Sequence, residues 1–293
     1  MLTLTLIDSI SLPGRANRPN EDTCGFAHGA AFVIDGATGL GENYIVGDTD
    51  SDAAWLAAFC KVHFEEMLLP GRPVSEVVRA TNRLAKRIAD FAAGRREIPA
   101  WANPVAGFQM LRAEGDRLFT YGLGDCVLLL QAADGSVSRH SALPDLAGKE
   151  KDKAREVLAS AGGLGVSGSV VGEPSFRDRE RSFRAAYNTQ GGALWTLGIV
   201  EAAGDHVASI MLEPGLPARG LLMSDGFAAL SENYERYDYP DLMAAVSERG
   251  LVALGRELRA IERDEDPHGD LYPRFKVSDD ATAMLVEIRR IDG

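Results

Sequence analysis

The chain has 293 residues, 45% of them hydrophobic and 25% charged, which suits either one large domain or two small ones. Lys and Arg number 31 against 43 Asp and Glu, for a formal charge of −12, and that excess opposes polyanions and argues against a nucleic-acid binder. Three cysteines, Cys24, Cys60 and Cys126, are odd in number and sit in apolar or strand-like surroundings, so they read as buried thiols in a reducing, bacterial-type cytoplasm.

Met1 to Asp8 alternates like a strand and has neither the basic segment nor the small-residue cleavage site of a secretory signal. No apolar run approaches the length of a membrane span, so no membrane partner is expected. Ala30 to Ile34 reads as a buried strand that ends at Asp35. Ser51 to Leu69 and Val74 to Ala93 carry apolar residues at i, i+3 and i+4, which predicts two amphipathic helices. Pro70-Gly71-Arg72-Pro73 breaks between them, and an antiparallel pair follows.

Short strands are predicted over Val105 to Arg112, Leu118 to Leu123, Val127 to Gln131 and Val137 to His140, as one antiparallel meander. Residues 145 to 193 hold a charged helix around Lys149 to Ala161, a glycine-rich stretch and an Arg/Asp-rich stretch from Phe176 to Arg184, read together as a flap or insertion. Strands over His206 to Leu212 and Gly220 to Met223 lead to Asp225, helices follow over Asp241 to Arg249 and Leu251 to Arg263, and a last strand starts at Ala281. Helices, strands, helices, strand is an α+β pattern with a mainly antiparallel sheet.

Four acidic motifs carry the chemistry: Asn20-Glu21-Asp22, Asp35-Gly36-Ala37-Thr38-Gly39, Ser224-Asp225-Gly226 and Asp279-Asp280-Ala281-Thr282. Each puts an aspartate at the edge of an apolar stretch. Carboxylates gathered at the rim of a core repel and lose water unless a hard cation sits among them, which points to Mg²⁺ or Mn²⁺. Ligands drawn from residues 22 to 279 require the two ends of the chain to converge, so 1–293 is read as a single domain.

In order and wording these motifs, together with Gly122-Leu123-Gly124-Asp125-Cys126-Val127, resemble the type 2C family of metal-dependent Ser/Thr protein phosphatases, over almost the whole chain from Asn20 to Ile288. The resemblance implies a four-layer α-β-β-α sandwich, two mainly antiparallel sheets stacked face to face and flanked by helices, with the metals at one end. It implies hydrolysis of phosphoserine or phosphothreonine in proteins by a metal-activated water, with two or three Mn²⁺ or Mg²⁺ ions and no protein nucleophile. It carries over as ligands Asp22, Asp35 with the Gly36 carbonyl, Asp225 and Asp279. Glu21 is carried over as the residue that orients water, and Asp280 falls outside the ligand set. Asp125 keeps two readings, ligand of a third metal or turn aspartate. A phosphoprotein substrate, a cognate Ser/Thr kinase and a signalling role are the partners and setting implied.

The sequence departs from the family at three places. The arginine expected to grip the phosphate, four residues before Glu21, is Asn17, which leaves Arg18 and Arg15 as candidates. Ala37 stands where many relatives carry a histidine, and Ala37-Thr38-Gly39 replaces the usual glycine pair. These departures keep a second reading open, a catalytically weak or inactive relative that serves as a regulatory or binding module. Gly163 to Gly168 spells G-x-G-x-x-G but follows a charged helix, so it reads as flap and not as a dinucleotide site. Asp48 to Asp52 reads as a helix N-cap, Asp264 to Asp270 as an exposed charge run, and His63 as a packed residue of an apolar helix.

Overall fold

The computed structural model describes residues 1–46, 50–143, 154–158, 163–164, 168–170, 174–192 and 194–291. Among the described residues, ten strands form two antiparallel sheets. The first has the order β1 (Leu2–Leu12), β10 (Ala281–Arg290), β9 (Ala218–Met223), β6 (Val127–Gln131), β7 (Val137–His140). The second has the order β2 (Asp22–Ala27), β3 (Ala30–Gly36), β4 (Ala106–Glu114), β5 (Arg117–Leu123), β8 (Ala208–Leu212). The outermost strand of the first sheet joins the chain ends, because β1 pairs with β10 from Leu2 opposite Arg290 to Leu12 opposite Ala281.

Strands without polar alternation are explained by cover on both faces. Along β3, Ala31 and Val33 point between the sheets, where they meet Leu111, Leu128, Leu222, Met284 and Val286. Ala30, Phe32 and Ile34 point the other way, toward helices α1 (Asp52–Met67) and α2 (Val74–Ala93). Phe64 of α1 wedges edge-on between Phe32 and Phe108, with ring centroids 5.4 Å from each. On the far face of the first sheet, Leu129, Leu221, Met223 and Leu285 pack against α4 (Asp225–Glu232), α5 (Tyr239–Arg249) and α6 (Leu251–Ala260). These are the four layers expected.

The single meander is corrected. β4 and β5 form a hairpin in the second sheet, whereas β6 and β7 form one in the first. Between them the chain crosses sheets at Gly124, whose φ is +82° and whose missing Cβ would lie 2.8 Å from Gly107 Cα. Period-2 patterning marks strands but not which sheet they join, so this crossing was invisible in the sequence.

Two helices escaped the sequence reading. Pro174–Ala185, here α3, lies in the Arg/Asp-rich stretch, and α4 follows Ser224 directly. Of the charged helix around 149–161, residues 154–158 are helical and the rest lie outside the described residues, as do Val166 and its neighbours in the G-x-G-x-x-G segment. The last predicted helix ends at Ala260 and continues as a π turn over Ile261–Glu265.

Ser51 caps α1, its hydroxyl accepting from the Ala53 and Ala54 amides, while Asp48 and Thr49 lie outside the described residues. Asp52 is buried and accepts from the Tyr44, Ile45 and Val46 amides. The charge run at Asp264 to Asp270 is not exposed throughout. Asp266 is 3% exposed, bonded to Arg274 at 2.7 Å and to the amides of Asp270, Leu271 and Tyr272, so it fixes a loop. His63 stacks on Phe59 and bonds Thr81, half-buried between α1 and α2. All three cysteines are free thiols.

Candidate metal centre

Antiparallel pairing brings one end of each key strand to the same edge of the sandwich. Asp22 opens β2 directly opposite Asp35 near the end of β3. Asp125 lies in the sheet-crossing turn between β5 and β6, Asp225 is the first residue of α4, and Asp279 sits two residues before β10. Ser224 and Thr282 lock the last two together. The Ser224 amide donates to Thr282 O, and the Thr282 amide donates to Ser224 Oγ, each at 2.9 Å.

Mutual repulsion is visible at this edge. Asp35 is held well above the usual carboxylate range, first by loss of water, then by the charges of Asp22, Asp225 and Asp125, and it shares a hydrogen bond with Asp225. Asp22 is pushed up to about 8, chiefly by burial, with Asp280 and Asp279 adding to it and a Ser224 hydrogen bond opposing it. Its Oδ2 is buried without a hydrogen-bond partner. Asp125 is raised by burial, with Asp279 and Glu232 adding to the rise. One donor atom each from Asp35, Asp125 and Cys126 lies within 4.8 Å of the others. Burial and the charges of Asp35 and Asp125 drive the Cys126 thiol far up, and a hard divalent ion prefers the carboxylate oxygens beside it. An orphaned buried carboxylate oxygen within an oxygen-rich cluster suits a hard divalent ion.

Glu21 is oriented by two hydroxyls, Thr38 Oγ1 at 2.6 Å and Ser51 Oγ at 2.5 Å, and burial raises its carboxyl. Asp280 spends one oxygen on the Gly14 amide and the other on the Glu21 amide, both at 2.7 Å, and so ties the β1–β2 loop to the start of β10. That loop carries Arg15, Asn17 and Arg18 to the wall of a cleft of about 740 Å³, shared with Glu21, Lys276 and Asp279. Both candidate arginines therefore line the same cavity as Glu21, Asp279 and Asp280.

The sequence reading missed three contributors. Thr38, in the segment that departs from the family pattern, bonds Glu21. Helix α3 holds that same segment, with Arg181 donating to Leu40 O at 3.1 and 2.8 Å while lying 4.0 Å over the Trp101 ring. Lys276 places Nζ 2.6 Å from Asp279 Oδ1 and 3.2 Å from Thr38 Oγ1. Its only sequence signal was a spacing of three from a candidate ligand.

Two stacked antiparallel sheets between helical layers, with carboxylates gathered at one edge, define the fold of the PPM-type serine/threonine phosphatases. The chain is similar to the serine/threonine phosphatase PstP/Ppp of Mycobacterium tuberculosis, at 15% identity and TM-score 0.56 over 99% of each chain. The catalytic domain of PstP in complex with two manganese ions gives 15% identity and TM-score 0.55, over 99% of this chain and 100% of that one. MsPP of Mycobacterium smegmatis, a PPM Ser-Thr phosphatase in complex with cacodylate, gives 17% and 0.53, over 95% of this chain and 96% of that one. No protein-family model and no curated protein matches the sequence. At these identities the likeness establishes the fold. Among the described residues, no helix is long and apolar enough to cross a membrane.

Proposed function

We propose that this chain is a metal-dependent phosphatase acting on phosphoserine or phosphothreonine in proteins. The observation that carries the proposal is the buried Asp22 Oδ2 without a partner, inside a cluster whose members raise one another's pKa. Asp22, Asp35, Asp225 and Asp279, with the Gly36 carbonyl, would hold two Mn²⁺ or Mg²⁺ ions, and Asp125 would serve a third. When bound, the ions supply Lewis-acid polarisation of the phosphoryl group and lower the pKa of the attacking water. Glu21, fixed by Thr38 and Ser51, orients water at the cluster's mouth. The cleft receives the phosphorylated segment, and a cognate kinase would supply it.

The test is phosphate release from an aryl phosphate and from a phosphopeptide. Activity is expected with added Mn²⁺, abolished by EDTA and restored by returning the ion. Full turnover by rigorously metal-free protein refutes the mechanism. Absence of turnover in protein shown to bind Mn²⁺ favours the second reading, a regulatory module, which draws on Asn17, on Ala37 and on the Lys276 amine already bonded to Asp279.

Arg18 is the preferred phosphate grip because it lies nearer Asp22 in the chain and needs only a small shift of the loop ending at Pro19. Arg18→Ala is expected to raise KM for a phosphopeptide, a loss of roughly 1.5–3 kcal/mol for a charge-assisted bond, with metal affinity unchanged. A silent Arg18→Ala beside a defective Arg15→Ala transfers the role to Arg15.

A further inference from the structure

Lys276 does not belong to any motif of the metal centre, yet its amine is built into it. Nζ sits between Asp279 Oδ1 and Thr38 Oγ1, and Thr38 passes the contact on to Glu21. At 2.6 Å from Asp279 Oδ1 the amine forms a close ion pair with a candidate ligand. The lysine thus already neutralises part of the charge that a divalent ion is needed to neutralise.

Two cavities meet at this side chain. A small one, about 110 Å³, is lined by Asp225, Gly226 and Asp279 on the metal side. The other is the 740 Å³ cleft with Arg15 and Arg18. Lys276 lines both, and its side chain is 24% exposed, so a flexible four-carbon stem has room to leave Asp279 for the cleft.

We propose that the Lys276 ammonium is a resident cation on the Asp279 side of the cluster, and that a divalent ion shared by Asp225 and Asp279 binds by displacing it. This inference rests on the metal-centre reading. A dication and an ammonium held on one carboxylate repel at close range, so the lysine weakens affinity for that ion while relieving carboxylate repulsion in the metal-free protein. It makes metal occupancy a competition within the chain.

The experiment is calorimetric titration of metal-free protein with Mn²⁺, with melting temperatures taken before and after. Lys276→Met and Lys276→Gln are each expected to bind Mn²⁺ about tenfold more tightly or to take up one more ion, and to melt at lower temperature than the wild type when metal-free. Lys276→Arg, which keeps the charge, is expected to stay near wild-type affinity. Equal or weaker Mn²⁺ binding by both neutral variants, with circular dichroism showing them folded, overturns the inference alone. Failure of the wild type and all variants to bind Mn²⁺ overturns it together with the metal reading. Tighter binding by the neutral variants without phosphatase activity upholds the lysine's role and removes only the proposed activity.

Discussion

Asp35→Asn and Asp225→Asn are each expected to lower phosphatase kcat on the order of a thousandfold or more, while the protein stays folded. The two side chains share a hydrogen bond at the cluster's centre, and Asp35 also feels Asp22 and Asp125. Amide replacement keeps volume and removes charge, so what is lost is the hold on the ions, whose Lewis-acid contribution is about several kcal/mol. Metal-free stability moves the other way. Each substitution relieves repulsion among half-buried carboxylates, so both variants are expected to melt above the wild type in EDTA and to gain less from added Mn²⁺. Near wild-type kcat for both at saturating Mn²⁺ would show that the ions are held elsewhere.

The same repulsion fixes a pH dependence. Asp22 is pushed up from 3.8 to about 8 in the folded chain, so its stabilising contribution is complete below pH 4 and is lost as pH rises through 8. Metal-free protein is therefore expected to melt at higher temperature at pH 5 than at pH 8, and Mn²⁺ to close that gap. A domain of this size shifts by roughly 2–4 °C per kcal/mol, which a thermal scan resolves. A metal-free melting temperature that climbs from pH 5 to pH 8 would contradict the arrangement.

Gly226→Ala is expected to damage the centre without touching a charge. A Cβ at Gly226 would lie 2.0 Å from the Asp280 carbonyl oxygen and 3.0 Å from its carbon, so α4 and the segment leading into β10 must separate. Backbone against backbone has no side chain that can turn aside. Overpacking of this kind costs about 1–3 kcal/mol. Because Asp225 begins the helix and Asp279 precedes the strand, the separation pulls the two carboxylates apart, and a displacement of about 1 Å at a catalytic group can cost about a hundredfold in rate. The measurements are melting temperature, Mn²⁺ affinity and kcat. If all three match the wild type, the helix and strand are not held as closely as the backbone contact requires.

What the sequence determined by itself was local. Ser51 to Leu69 and Val74 to Ala93 announced α1 and α2 because apolar spacing and the Pro-Gly breaker are local signals, and the ends agree with the structure to within two residues. The aspartates at strand ends were legible because a charge bounding an apolar run is unusual enough to need a partner. The tertiary structure decided where those ends meet. Assignment of β6 to the opposite sheet from β5 depends on a φ at Gly124 that other residues rarely adopt and on the close approach of Gly107, neither of which has a period. The opposition of Asp22 and Asp35 follows from strand register, and that of Asp225 and Asp279 from the Ser224–Thr282 lock. Helix α3 was concealed because its charged sequence lacks a long apolar stripe, and its Arg181 finds its partners in Leu40 and Trp101, more than 70 residues earlier. Lys276 is the sharpest case. Nothing in Phe275-Lys276-Val277 distinguishes it from a solvated lysine; its pairing with Asp279 is local, but its place beside Thr38, and through Thr38 beside Glu21, depends on a contact across 238 residues.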